Sequence, residues 1–159
     1  MRGHGVPDPE LAARLAVEYA AARYSVNIGH RQWRFGVGQR AGDIERELDA
    51  EHYLFITAWN PAPHFLDAEA NRAADQRLRD RLEEAGCRHH SAIGSDDRGG
   101  AVEHGWMVLD VPLARGDALA REFGQAGTLY WRRGDPVRLR MMYPRPASAA
   151  DDPHVDWAG

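Results

Sequence analysis

The chain has 159 residues, of which 43% are hydrophobic, and a formal net charge of -4. This length and apolar content predict one domain with one core, and the charge excludes a general attraction to nucleic acid or anionic membranes. All twenty Lys or Arg positions are arginine, which excludes lysine-dependent chemistry such as Schiff bases or P-loop phosphate binding.

Cysteine and histidine usage limits the possible metal and redox sites. Cys87 is the single cysteine, so an internal disulfide framework is excluded. His89 and His90 lie beside it, but no second pair at ligand spacing completes a tetrahedral set. We expect no metal and no cofactor. No apolar run has the roughly 20 residues of a membrane helix, and no signal-peptide core follows Met1, so we expect a soluble, cytoplasmic protein without a membrane partner.

The secondary structure is predicted from apolar spacing and from turn residues. In chain order, the predicted elements are a helix at 9–23, strands at 24–28 and 32–37, a helix at 41–48, a strand at 53–59, a helix at 67–85, strands at 88–95 and 103–111, a helix at 114–123, and strands at 126–131 and 137–142. The expected organisation is a flexible N-terminus at 1–8, a single α+β domain at 9–143 and a disordered C-terminal tail at 144–159.

The central elements, from residue 53 to 132, follow the order strand, helix, strand, strand, helix, strand. This order is typical of the ferredoxin-like fold, an antiparallel sheet with two helices on one face. We therefore expect a ferredoxin-like core, extended by an N-terminal helix and β-hairpin and by a C-terminal strand. In such a core, the end of the first strand, the start of the first helix, the hairpin loop and the start of the fourth strand meet at one sheet edge.

Polar side chains are concentrated at this predicted edge. Asn60, Asn71, Glu103 and Gln125 supply amide groups and one carboxylate beside the indole of Trp59. Amides can read the edge of a planar polar ligand, and an indole offers a stacking face. The same amides can instead satisfy buried backbone groups at the strand end. The sequence leaves both roles open.

The same residues carry a resemblance to a known family. The motifs, in order, are Thr57-Ala58-Trp59-Asn60-Pro61, Glu69-Ala70-Asn71-Arg72, Glu103 and Phe123-Gly124-Gln125. With them the chain resembles, over residues 24–139, the uncharacterised bacterial family known as domain of unknown function 3293. The sequence departs from the family pattern at 103–105, where a serine-containing stretch is expected. The candidate ligand-binding residues are Trp59, Asn60, Asn71, Arg72, Glu103 and Gln125.

Three functions are compatible with these residues. The first is a regulatory or accessory domain that binds a polar small ligand at the sheet edge. The second is a protein-protein interaction module in which the polar edge is purely structural. The third is an enzyme that uses Glu103 and His104 in acid-base chemistry. No complete catalytic signature is present, so no catalytic residue is assigned.

Arginines and aromatic residues are concentrated near the C-terminus, a combination that single-stranded nucleic-acid binding proteins use. The residues concerned are Arg132, Arg133, Arg138, Arg140, Trp131 and Tyr143. Because the chain is acidic and has no ribonucleoprotein-type aromatic motif, we expect these arginines to pair with nearby acids or to border a protein contact, and not to bind nucleic acid. The last predicted strand, at 137–142, has an exposed edge through which a homodimer can form.

Overall fold

A computed structural model of the chain describes residues 8–61 and 64–159. It has the mixed α+β class predicted from the sequence, with four helices and one eight-stranded sheet in these residues. The flexible start predicted for residues 1–8 lies outside the described residues, apart from Asp8. None of the described helices is long and apolar enough to cross a bilayer.

Two of the four described helices begin at a side-chain cap. They are α1 (Pro9–Ala21), α2 (Gly42–Glu47), α3 (Ala68–Glu84) and α4 (Leu113–Glu122). The side chains of Asp8 and Asp67 accept hydrogen bonds from the backbone N–H groups of Glu10 and Ala70, which stabilises the first turns of α1 and α3. The strands are β1 (Arg23–Ile28), β2 (Arg31–Phe35), β3 (His52–Thr57), β4 (Arg88–Ser95), β5 (Glu103–Leu109), β6 (Gly127–Arg132), β7 (Arg138–Met141) and β8 (Val155–Trp157).

The strands form one curled sheet in the order β2-β1-β4-β5-β3-β6-β7-β8. Neighbouring strands are antiparallel, except that β7 and β8 are parallel. The curl brings the rings of Phe35 in β2 and Trp131 in β6 to within 5.6 Å. The backbone after β2 also meets the start of β7, because the N–H of Gly38 donates to the carbonyl of Val137 over 2.8 Å. The sheet therefore has a concave face, like half of a barrel.

Each face of the sheet carries its own hydrophobic cluster, because successive strand residues point to opposite sides. On the concave face, Tyr53 and Phe55 of β3 pack in a cluster that is partly covered by α1 and α2. On the convex face, Leu54 and Ile56 pack under α3 and α4. The burial of β3 on both faces explains its unbroken apolar sequence.

The C-terminal residues differ from the disordered tail that the sequence suggested. The strand β8 pairs with β7 and extends the sheet. The guanidinium of Arg138 donates two hydrogen bonds of 2.7 Å to the carboxylate of Asp156, and these hold β8 in place. The expectation failed because a three-residue strand has no measurable periodicity and depends on a sheet edge supplied by distant residues.

The strand β8 also covers the edge that was expected to be exposed. Backbone groups of β7 pair with β6 on one side and with β8 on the other. Pairing of two copies through the edge of β7, which the sequence suggested as a route to a homodimer, therefore does not fit the described structure. The described sheet ends at β2 and β8.

Candidate functional site

The chain turns sharply after β3, where the sequence predicted a strand end. The hydroxyl of Thr57 accepts a hydrogen bond from the N–H of Trp59 and donates one to the carbonyl of His104, over 3.0 and 2.6 Å. Asn60 has a φ of +47°, a left-handed conformation that asparagine adopts more readily than most residues. The strand end is thereby fixed against the start of β5.

Two asparagines close the loop between β3 and α3. The N–H of Asn60 donates to Oδ1 of Asn71 over 2.9 Å, and Nδ2 of Asn71 donates to Oδ1 of Asn60 over 3.0 Å. Leu66 joins them, because its carbonyl accepts from Nδ2 of Asn71 and its N–H donates to Oδ1 of Asn60. Asn71 is only 2% exposed. Its amide is fully engaged in the loop, so Asn71 is a positioning residue.

The network ends on the carboxylate of Glu103. Nδ2 of Asn60 donates to Oε2 of Glu103 over 2.7 Å. Burial raises the pKa of this carboxyl above its ordinary value, and the hydrogen bond from Asn60 partly opposes the rise. Within the described residues, Oε1 of Glu103 accepts no hydrogen bond. Glu103 therefore keeps one oxygen available to a ligand.

A cavity of about 650 Å³ lies between α1 and the concave face of the sheet, and we refer to it as the concave cavity. Most of its wall is apolar. The principal apolar residues in the wall are Leu11, Leu15, Tyr24, Phe55, Leu129 and Leu139. Polar side chains in the wall include those of Asn60, Glu103 and Gln125. The concave cavity is thus a mostly apolar space with a small number of placed polar groups, which is typical of small-molecule sites.

One further polar atom at this space accepts no hydrogen bond from the described residues. Gln125 is 8% exposed, and its Nε2 donates to the carbonyls of Trp59 and Phe123, whereas its Oε1 accepts nothing within residues 8–61 and 64–159. Thr128 also borders the concave cavity, but its neighbour Leu129 points to the concave face, so the side chain of Thr128 points to the convex face. A polar ligand atom or a water would satisfy Oε1 of Gln125.

The six predicted site residues separate into three groups. Asn60, Glu103 and Gln125 line the concave cavity. Asn71 does not line the concave cavity, and it binds Asn60, which does. The indole of Trp59 lies against the ring of His104, with ring centroids 5.2 Å apart, and does not line the concave cavity. The stacking face expected of Trp59 is therefore not at this site.

The remaining candidate, Arg72, is exposed on α3 and does not line the concave cavity. No contact in the described residues links it to the other five predicted site residues. Its neighbour Asn71 points inward, and consecutive helical residues diverge by about 100°. Because Asn71 points into the hydrogen-bond network, the side chain of Arg72 points toward solvent.

Glu103 and His104 do not form the acid-base pair that the sequence suggested. Glu103 lines the concave cavity, whereas the ring of His104 packs against Trp59. Neighbouring Trp106 shares the face of His104, and its indole N–H donates to Asp75 of α3 on the convex side. Because adjacent strand residues point to opposite faces, the two side chains are separated by the sheet.

Three of the four C-terminal arginines, Arg133, Arg138 and Arg140, form ion pairs with acids, and Arg132 forms none within the described residues. Arg140 donates two hydrogen bonds of 2.8 Å to the carboxylate of Asp117, and Arg138 binds Asp156. Trp131 is buried and donates from its indole to Glu45. A buried indole cannot stack on a nucleobase, so Trp131 is not available for such a contact.

The histidines near Cys87 do not converge on a metal site. Nδ1 of His89 lies 2.8 Å from the carbonyl oxygen of Cys87, which fixes the ring. Among the residues that the structure describes, no group of three or more His, Cys, Asp or Glu side chains is placed to hold a metal ion.

Sequence reasoning missed the contribution of α1 and β1 to the site. Tyr19 and Leu15 of α1 and Tyr24 of β1 line the concave cavity, and the hydroxyl of Tyr24 donates to the carbonyl of Tyr19 over 2.7 Å. The helical spacing of Leu11, Leu15 and Tyr19 was a visible signal of an inward face. It could not show which face of the sheet the helix covers.

Comparison with known proteins identifies one family. The model of the family described as Protein of unknown function (DUF3293) matches residues 56–127, a little under half of the chain. This match confirms the resemblance over residues 56–127, from the end of β3 to the start of β6, a range that includes Asn60, Asn71, Glu103 and Gln125. Neither the curated proteins nor the solved structures gave a match.

Proposed function

We propose that this protein binds a small amphipathic molecule in the concave cavity, as a regulatory or accessory domain. The observation that carries the proposal is the combination of about 650 Å³ of mostly apolar space with one half-buried carboxylate held by an amide. Small-molecule sites have volumes of roughly 300–1,000 Å³ and the same balance of apolar wall and few polar groups.

The geometry favours an amphipathic ligand over the planar polar one suggested by the sequence. The amides of Asn60 and Asn71 bind each other and the loop, so they are not free to read a polar edge bidentately. The polar contacts left for a ligand are Oε1 of Glu103 and Oε1 of Gln125. A ligand with one polar head and an apolar body matches this distribution.

The arrangement of the core strands and helices also supports a ligand site on the concave face. The central order β4-β5-β3-β6, with α3 and α4 on the convex face, supports a ferredoxin-like interpretation of the core. In this arrangement the convex face is filled by helices, and the concave face is left for α1 and a ligand. The unpaired Cys87 and the family resemblance support a bacterial cytoplasmic setting.

The test is a ligand screen with a variant that fills the concave cavity. Leu15→Trp adds an indole to the cavity wall on α1, whereas Arg14→Trp adds the same group at an exposed neighbouring position. A library of amines, alcohols, carboxylates and neutral aromatics is screened by thermal shift, and hits are verified by calorimetry. We expect hits with the wild type and Arg14→Trp that are lost with Leu15→Trp.

A protein-interaction module with a purely structural edge predicts a different result. No compound would bind the wild type, or binding would be unaffected by Leu15→Trp. Either outcome would reject the ligand-binding proposal and favour the interaction function.

A further inference from the structure

The formal charges in the described wall of the concave cavity are all negative, and His64 is the one side chain there that can become a cation. Four acidic side chains line it, and within the described residues no arginine does, although the chain has twenty. These acids are Glu18, Asp96, Asp97 and Glu103. A site lined by charges of one sign attracts ligands of the opposite sign and repels like charges.

The acids at the concave cavity are not neutralised by the protein. Arginines elsewhere form ion pairs, for example Arg138 with Asp156 and Arg140 with Asp117. Within the described residues, none of the four acids that line the cavity forms an ion pair. Their negative potential is therefore available to a ligand.

One of these four carboxylates, that of Glu103, is half-buried in the wall of the concave cavity. The other three acids are exposed, and Glu103 receives only the neutral amide of Asn60. A partly buried charge with an incomplete set of partners is costly, and a cation at its second oxygen would lower that cost. Charge-assisted hydrogen bonds of this type are about twice as strong as neutral ones.

Aromatic rings beside the carboxylate suit the same ligand. Tyr24 and Phe55 line the concave cavity with ring centroids 5.3 Å apart, and Gly94 leaves room for both, since a Cβ there would lie 3.2 Å from the ring of Tyr24. Aromatic faces attract cations and also bury apolar groups. The wall thus accepts both parts of an amine with an apolar body.

We propose that the ligand of the concave cavity is an amphipathic cation, an amine whose ammonium group binds Glu103 and whose apolar body packs between α1 and the sheet. This inference rests on the proposed function and specifies its ligand class. It excludes carboxylates and phosphates as ligands, because their charge would meet four acids and no arginine in the described wall.

The test compares ligands that share one apolar part and differ only in the polar group, which is an amine, an alcohol or a carboxylate. 3-Phenylpropylamine, 3-phenylpropanol and 3-phenylpropanoate, together with the corresponding octyl compounds, are titrated into the wild type by calorimetry at neutral pH. At least one amine should bind about tenfold or more tighter than its alcohol, and its carboxylate should bind more weakly still. Glu103→Gln should remove the preference for the amine while the alcohol still binds. Glu84→Gln, an exposed acid at the end of α3, is the matched control and should keep the preference.

The outcomes separate the inference from the proposed function. Equal binding of amine and alcohol, tighter binding of the carboxylate, or a preference that survives Glu103→Gln would overturn the amine inference. If one of these outcomes is found and the compounds that bind the wild type do not bind Leu15→Trp, the concave cavity is still a ligand site, but its ligand is not an amine. If none of the six compounds binds, the amine inference is rejected, and the wider library decides the proposed function.

Discussion

Nδ2 of Asn60 and Oε2 of Glu103 lie 2.7 Å apart, so the loop after β3 holds the carboxylate at the start of β5. The two residues are 43 positions apart in the chain. Asn71 holds Asn60 in turn, through a backbone and a side-chain hydrogen bond. The conformation of one loop therefore sets the position of the carboxylate that we assign to ligand binding.

The first prediction concerns stability and Asn71. Asn71→Ala removes three hydrogen bonds and leaves groups of Asn60 and Leu66 without partners at a site that is 2% exposed. We expect the free energy of unfolding to fall by about 1–3 kcal/mol, measured by urea denaturation. Asn27→Ala is the control, because the amide of Asn27 makes one exposed hydrogen bond to Ser91, and it should cost less than about 1 kcal/mol. Equal effects of the two changes would contradict the positioning role of Asn71.

The second prediction concerns the contact between Asn60 and Glu103. Asn60→Asp keeps an acceptor for Leu66 and Asn71, but it replaces the donor to Glu103 with a like charge. The variant should be destabilised at neutral pH, and its deficit relative to the wild type should shrink as pH falls and one carboxyl is protonated. Urea midpoints measured over this range provide the test. A deficit that does not depend on pH would show that the two side chains are not in contact.

The third prediction concerns the protonation of Glu103. Burial raises the pKa of its carboxyl above the ordinary value of 4.5, so the folded state keeps this proton to higher pH than the unfolded state. The resulting stabilisation is complete below the ordinary value and is lost as pH rises through the raised pKa. Glutamine has no proton to lose here, so the stability of Glu103→Gln does not fall in this way. The unfolding free energy of the variant minus that of the wild type should therefore increase as pH rises. A difference that stays constant, or that shifts toward the wild type, would contradict the raised pKa.

The fourth prediction concerns the last strand. Deletion of residues 153–159 removes β8 and exposes the edge of β7, which then offers unpaired backbone groups to another chain. We expect the truncated protein to self-associate as its concentration rises, measured by analytical ultracentrifugation. Asp156→Asn is the control, since it weakens the half-exposed ion pair with Arg138 by about 0–1 kcal/mol and keeps the strand. A truncated protein that sediments as the wild type does would contradict the protective role of β8.

The order of the central elements and the edge where their polar residues meet were predictable from local signals. The apolar run of β3 followed by Asn60-Pro61 predicted the strand end, and Asp67 predicted the start of α3. These local signals are enough to predict that Asn60, Asn71 and Glu103 lie close together.

The concave cavity was not predictable in the same way. Its wall combines α1 with residues of six strands, and the curl of the sheet that shapes it depends on packing between distant residues such as Phe35 and Trp131. The alternation along β5 did contain a usable signal, because it places Glu103 and His104 on opposite faces. This alternation alone argues against an acid-base pair of Glu103 and His104.

A crystal structure of the wild type with its tightest-binding amine tests the central claim most directly. The account predicts the apolar body between α1 and the sheet, with the ammonium nitrogen about 2.7–2.9 Å from Oε1 of Glu103. An ammonium group that lies away from Glu103, or a ligand bound outside the concave cavity, would contradict it.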